Sequence, residues 1–447
     1  MTSAVASVSP ASFLQRSMWA SAQRYRSAPL NVMSLAWRVR GLLRISVLES
    51  ALTDLVERHP TLRSRLTMDR GKLVQEVLES GRIQVVETPV QGADIAERFA
   101  NAKGLLQDIG RNRIDIVAGP PIRVHLLSLA QNDHLLCFYV HHAMCDGWSS
   151  QIIIQDLLTF YEARASGQRA DLPQLSEQYA DVAQAQLRCS EEDGYSSEIK
   201  YWKAELSDLP LQLMLPSSGE RKGNRDFHAS SPIHSEPVEV LSAIRQTARS
   251  TKVSTFAVLL SAVAVLTHER TDSQDIVVGV PTLNRWSRGE MCLVGCATSL
   301  LPARIRLRRN LSFGELSVQV HATVRRLLAF GRIPLELILR ETQSSPMGGA
   351  VFPVWCQTRQ EAQTLHVDAL GLSFAPLLIA RGTLLADLDV DMIESASGLL
   401  CEFAYRPSLF EADFVAALMS DYGRILRAVA NEPAITVGAL CSRLSAH

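Results

Sequence analysis

Apolar positions along this chain recur with two periods. In ISVLESALTDLVERH (45–59), Leu48, Leu52 and Leu55/Val56 share one stripe, which predicts an amphipathic helix. LRSRL (62–66) and LVQEVLE (73–79) predict strands of a hairpin that turns at Asp69-Arg70-Gly71. PIRVHLLSL (121–129) and HLLCFYV (134–140) predict a second hairpin, joined by Ala130-Gln131-Asn132-Asp133. SSQIIIQDLLTFYEA (149–163) returns to the helical period and ends near Ala165-Ser166-Gly167. Charged material of helical character follows from about 173 to 206.

A second set then begins. Helices are expected near 239–250 and 254–269, followed by the buried strand DIVVGVP (275–281) and the strand SLLPARIRL (299–307). A helix over 313–329, PLELILRE (334–341) and strands VFPVWCQ (351–357), LLADLDVDMIE (384–394) and LLCEFAY (399–405) come next. A last helix, 411–431, is expected to close the chain. The pattern is α/β, in two comparable halves with a seam near 170–200, and a cleft between halves is a common place for a site.

Composition narrows the function classes. The 447 residues carry a net charge of −1 with both signs scattered, so neither a basic nucleic-acid surface nor a polybasic membrane patch is expected. FAVLLSAVAVL (256–266), the longest apolar run, is too short to span a bilayer, and MTSAVASVSPASFLQ does not read as a signal peptide. The eight cysteines form no CxxC pair. Cys292 and Cys296 are separated by three residues with no matching histidine nearby, which is weak evidence for metal. Dispersed cysteines fit a reducing cytoplasm better than a disulfide framework.

The chemistry concentrates in HHAMCDGWS (141–149), between a predicted strand and a predicted helix. Neighbouring strand residues face opposite sides, so His141 and His142 cannot both enter one cleft. One is expected to be buried and oriented, the other to present an imidazole suited to proton transfer near neutral pH. The same divergence, with no third ligand evident, argues against a metal site. Asp146 is expected to hold the loop through backbone amides or an arginine. Gly147 lets the backbone pass close to a ligand and offers an N–H to a developing oxyanion. No GxSxG elbow, GxxxxGK[ST] loop or GxGxxG turn is present.

The HHxxxDG spacing in this setting resembles the condensation domains of nonribosomal peptide synthetases. Ordered segments extend the resemblance over nearly the whole chain: SPASFLQRSMW (9–19) with Gln15 and Trp19, ERHPTLRSRL (57–66), YADVA (179–183), DIVVGVPTLNR (275–285), VGCATSLLPARI (294–305), IPLELILRE (333–341) and VFPVWCQ (351–357). It implies two chloramphenicol-acetyltransferase-like lobes, 1–180 and 181–447, in a V-shaped pseudo-dimer with the active site in a tunnel between them. It implies no bound cofactor. Donor and acceptor carrier proteins, or neighbouring synthetase modules, would bring substrates on phosphopantetheine arms, and an acyl or peptidyl thioester would be joined to an amine as an amide, in natural-product biosynthesis. His142 would be catalytic, with Gly147 beside it. His141 and Asp146 would form its framework, Asp146 paired with Arg285 or, as the alternative, Arg63. Trp148, Ser149, Ser299 and Trp355 would line the substrate path.

The chain departs from the family pattern at Ser299, where asparagine is usual, and over Phe330-Gly331-Arg332-Ile333 before Pro334, which puts substrate class in doubt. Asp-Gly-Trp-Ser argues against an epimerising variant and the double histidine against a cyclising one. Gly348-Gly349-Ala350-Val351 is not a carrier motif, so the chain is expected to meet carriers in trans or to be a segment of a larger synthetase, a starter segment included. Two other readings remain. An O-acyltransferase would use CoA or carrier thioesters to make esters, although the DFGWG signature of one such branch is absent. A non-catalytic recruitment platform would keep the fold without turnover, which the intact motif opposes.

Overall fold

The computed structural model describes residues 4–26, 28–209, 215–219, 226–342, 352–367 and 370–445; Gly348–Val351 and His447 lie outside them. In chain order the elements are β1 (Val5–Pro10), α1 (Phe13–Arg24), β2 (Val32–Arg40), α2 (Ile45–Arg58), β3 (Ser64–Asp69), β4 (Lys72–Leu78), β5 (Val85–Pro89), α3 (Ile95–Gly110), β6 (Ile122–Ala130), β7 (Asp133–His141), α4 (Gly147–Ser166), α5 (Tyr179–Glu191) and α6 (Ser196–Glu205). Then follow β8 (Ile233–Pro237), α7 (Val238–Ser250), α8 (Thr255–Thr271), β9 (Asp275–Thr282), β10 (Ser299–Arg306), α9 (Phe313–Ala329), α10 (Leu335–Glu341), β11 (Val354–Gln360), β12 (Leu365–Val367), β13 (Leu372–Leu377), β14 (Leu388–Ser395), β15 (Gly398–Tyr405), α11 (Ala412–Asn431) and α12 (Val437–Ser445).

The chain divides into two compact units, neither of them one continuous stretch. The first takes residues 1–194, 283–298 and 362–383; the second takes 195–282, 299–361 and 384–447. Segments from beyond residue 181 therefore complete the first unit, and one of them, 283–298, carries Arg285.

In the first unit a six-stranded sheet runs β12-β13-β2-β7-β6-β5, beside a three-stranded sheet β1-β4-β3. The apolar run of β7 is buried on both faces, and its alternation feeds two cores. Leu136, Phe138 and Val140 pack with Leu48, Leu52 and Leu55 of α2 and Ile153 and Leu157 of α4. Leu135, Cys137 and Tyr139 pack with Ala102 and Leu106 of α3. At the expected hairpin turn, Arg70 and Gly71 both take positive φ, 45° and 81°, which the tight connection of β3 to β4 requires. α4 starts on Asp146, whose side chain caps it, and stops at Gly167 in the left-handed conformation.

The second unit has its own six-stranded sheet, β10-β9-β11-β14-β15-β8. Its α8 is buried almost all round, from Ala257 to His268, as the uninterrupted apolar run requires. Among the described residues no single helix is long and apolar enough to cross a membrane. α11 does not close the chain as expected, because α12 follows and buries Val437, Leu440 and Leu444.

Candidate active site

His141 is the last residue of β7, and its N–H still bonds the Pro121 carbonyl at 2.9 Å. The next three residues coil into a 3-10 turn, His142–Met144, so the two histidines part where the strand stops. Asn31, at φ 60°, turns its carbonyl to accept the His142 N–H at 2.6 Å. The turn is also held from the chain's opening segment. Gln15, fully buried, donates through Nε2 to the Ala143 carbonyl at 3.3 Å and to Gln75 Oε1 at 2.7 Å.

The two imidazoles have separate environments. His141 is 1% exposed, and its Nδ1 accepts the Ala143 N–H at 3.2 Å, leaving its proton on Nε2. Burial first, then the neighbouring His142 and Arg113, push its pKa down to about 3, so it is a neutral framework residue at physiological pH. His142 is partly exposed, and its Nδ1 lies 3.3 Å from Cys296 Sγ. Among the described residues no protein group bonds its Nε2, which is the nitrogen left for a substrate proton.

Asp146 holds the loop in both of the expected ways. Its carboxylate caps α4 through the Ser149 N–H at 2.8 Å and accepts the Ala297 and Thr298 N–H groups at 2.9 and 3.2 Å. Arg285 Nη2 reaches both of its oxygens at 3.0 Å, and both side chains are 0% exposed. Arg285 also donates to the carbonyls of Glu290, Leu293 and Gly295, so the ion pair pins segment 283–298 to the start of α4. A buried pair of this kind is sustained by its surrounding hydrogen bonds.

Arg63 does not take part. Its guanidinium donates to the carbonyls of Val56 and Leu78, tying α2 to β4. Ser149 does not line a substrate path either. It is 0% exposed, its hydroxyl has both Asp146 Oδ1 and the Gly295 carbonyl within reach of its single proton, and it accepts from Arg285 and the Gly295 N–H. Its hydroxyl lies inside the network because the same turn of α4 that caps on Asp146 also faces segment 283–298. Trp148, the residue before it, is 37% exposed, with its indole N–H on the Met291 carbonyl at 2.9 Å.

Gly147 opens α4 and is exposed; a Cβ added there would meet nothing within 4 Å. The first N–H groups of a helix have no intrahelical acceptor, and the helix dipole adds positive potential there. Gly295 is the opposite case, since its Cβ would fall 2.2 Å from the Tyr179 ring. The Tyr179 hydroxyl, kept neutral by burial, donates to the Cys296 carbonyl at 2.7 Å. Cys296, Tyr179 and Gly295 are thus site residues that spacing arguments miss; YADVA and VGCATSLL mark their segments but not their contact.

Ser299 and Trp355 belong to the second unit. Ser299 is buried, and its carbonyl accepts the Thr282 hydroxyl across β9 and β10. Trp355 stacks over Gly279, where a Cβ would lie 2.8 Å from the indole, and packs on Ala229, Leu384, Ala386 and Ala404. In the departing segment, Phe330 stacks on Tyr201 at 4.2 Å and its carbonyl accepts the Trp202 indole N–H. Gly331 has no room for a Cβ beside Leu301, and Ile333 is buried, so packing accounts for three of these four positions and leaves Arg332 exposed.

Among the described residues no group of three histidine, cysteine, aspartate or glutamate side chains is placed to hold a metal ion.

A family model for the condensation domain matches residues 5–442. The phosphinothricin tripeptide synthetase PhsC of Streptomyces viridochromogenes is 28% identical over 434 residues, which are 96% of this chain and 40% of that protein; the chain thus spans well under half of that relative's length. Two solved structures have similar folds. The X-domain from teicoplanin biosynthesis is 22% identical, with a TM-score of 0.86 and 96% of each chain covered; it has also been solved in complex with OxyB. The first condensation domain of the calcium-dependent antibiotic synthetase, in complex with a substrate analogue, is 20% identical, with a TM-score of 0.84, covering 97% of this chain and 98% of that one.

Proposed function

Because the chain belongs to the condensation-domain family of nonribosomal peptide synthetases, we propose that it transfers an acyl or peptidyl group from a carrier-bound phosphopantetheine thioester to an amine, forming an amide. The observation that supports this reading most directly is the division of the histidine pair. His141 is locked in the framework, and His142 leaves the strand with no bond to its Nε2 among the described residues.

The reaction sets modest demands on that nitrogen. An α-amino group has a pKa near ~8, so roughly a tenth is already neutral at pH 7. His142 orients the amine as it attacks the thioester carbonyl and takes up the proton released as the C–N bond forms. The thiolate of the phosphopantetheine arm is the leaving group. The N–H groups that open α4 at Gly147 and Trp148 are the donors available to the oxyanion. An alcohol acceptor, with no neutral amine fraction to draw on, would depend on the base far more.

A second reading, a recruitment platform without turnover, draws on the X-domain that shares this fold and forms a complex with OxyB. Intact-protein mass spectrometry separates the readings. The chain is mixed with an acyl-carrier or, separately, an acyl-CoA donor, each in the presence of an aminoacyl-carrier or an alcohol acceptor. Acyl transfer from carrier to the amine supports condensation. Transfer from CoA alone to an alcohol would identify an O-acyltransferase, and carrier binding without transfer from either donor would establish the platform.

A further inference from the structure

We propose that Cys296 is a positioning residue for His142, accepting the Nδ1 proton on its sulfur so that the Nε2 lone pair faces the substrate. The inference rests on the catalytic reading of His142 given above.

Two features carry it. The first is the pair itself: Cys296 Sγ lies 3.3 Å from Nδ1, within reach of a sulfur hydrogen bond, and the residue is 1% exposed. The second is the amount of structure that fixes the cysteine backbone. The Cys296 carbonyl accepts from Tyr179, and the N–H groups of Gly295, Ala297 and Thr298 end on Ser149 and Asp146. Every residue from 295 to 298 is therefore bonded to the first unit's core, and the thiol has little freedom to leave the imidazole. The network built on Asp146 and Arg285 thus reaches the reactive ring through Cys296, since neither charged group is bonded to His142 itself.

The direction of the bond matters. A neutral imidazole carries one proton on either nitrogen, and the partner of one nitrogen decides which. If Nδ1–H donates to sulfur, Nε2 is the acceptor that a base requires. The imidazolium is a better donor than the neutral ring, so this bond also favours the protonated form. If S–H donated to Nδ1 instead, Nε2 would carry the proton and the bond would favour the neutral ring. Removing the sulfur then has opposite effects on the imidazole: its pKa falls in the first case and rises in the second. Among the described residues, the titratable and charged groups near the pair include His141, which stays neutral and is itself influenced by Arg113 and Asp115, Tyr179, which is kept neutral by burial, and Asp146 with Arg285, which neutralise each other.

The test is 15N NMR of the histidine rings in the full chain, as wild type, Cys296→Ser and Cys296→Ala, across pH, together with the pH dependence of kcat. In the wild type and the serine variant, neutral His142 should carry its proton on Nδ1. In the alanine variant the two tautomers should mix, the ring should titrate at lower pH, and kcat should drop roughly ten-fold with KM unchanged. An Nε2–H ring in the wild type, or a ring in Cys296→Ala that titrates as before, would overturn the proposal. A shifted ring with an unaltered kcat profile would leave the positioning intact and overturn instead the role of His142 as base.

Discussion

Each compact unit contains a β-hairpin whose second strand passes through a short turn into a helix of 20 residues. β7 leads into α4, and β15 leads into α11. Each also buries an arginine–aspartate pair next to the hairpin, Arg285 with Asp146 in one unit and Arg406 with Asp387 in the other. The strand ends differ. β7 delivers His141 and then a partly exposed His142, whereas β15 delivers Tyr405 and then Arg406, at 5% and 4% exposure. On the proposed function, one strand–turn–helix address serves chemistry in the first unit, whereas in the second it serves packing. The scaffold and its ion pair recur in both units; on the proposed function, the difference lies in what stands at the strand end and whether it is left uncovered.

The largest effect expected is on turnover. His142→Ala should lower acyl transfer by ~10²–10⁴-fold with an alcohol acceptor and less with a reactive amine, measured on folded protein. If Arg406→Met, with its folded fraction corrected for, lowered transfer as much, the contrast between the two strand ends would fail.

Next in size are the ion pairs. Arg285→Ala leaves a fully buried carboxylate uncompensated, so urea denaturation should show a loss of about 3–5 kcal/mol. Arg285→Lys should recover only part, because a single ammonium cannot serve both carboxylate oxygens and the carbonyls of Leu293 and Gly295. A loss within about 0.5 kcal/mol would show that the pair does not hold the loop.

His141 sharpens the comparison through pH. The folded ring stays neutral down to about pH 3, whereas an unfolded histidine takes a proton below about 6.5. Between those values the unfolded chain binds the extra proton, so stability falls as pH falls through that window. From pH 7 to 5 the wild type should lose about 2 kcal/mol more than His141→Asn, which keeps an acceptor for the Ala143 N–H but does not titrate. Equal losses would mean that His141 is not a buried neutral ring.

The smallest effects separate two glycines. Gly295→Ala drives a methyl into Tyr179 and should cost about 1–3 kcal/mol in denaturant. Gly147→Ala, in open space, should change stability by less than about 0.5 kcal/mol, so that any lowered transfer reads as interference with a ligand at the start of α4.

Much of this was legible in the sequence. The uninterrupted apolar run of β7 announced a central strand, and the spacing of Asp146 beyond the turn announced a loop-holding acid. β2 did not stand out, because Arg38 and Arg40 alternate with its apolar residues, and Arg38 is paired with Asp133 on the neighbouring strand and lies over the Phe99 ring. Arg63 was a reasonable partner for Asp146 until two backbone carbonyls claimed it. Ser149 looked accessible because a helix start is usually exposed; its burial depends on a segment about 140 residues away. The Cys296–His142 contact was invisible for the same reason, since neither residue's local pattern encodes the other.

The most direct test of the central claim compares the two histidines in a single turnover. Folded wild type, His142→Ala and His141→Asn are each mixed at neutral pH with an acyl-carrier donor and the true amine acceptor, and product is followed by mass. The division of the pair predicts a clearly lowered rate in His142→Ala, smaller than the loss with an alcohol acceptor, and a folded His141→Asn that turns over at close to the wild-type rate. A His142→Ala enzyme that turns over at the wild-type rate would contradict it.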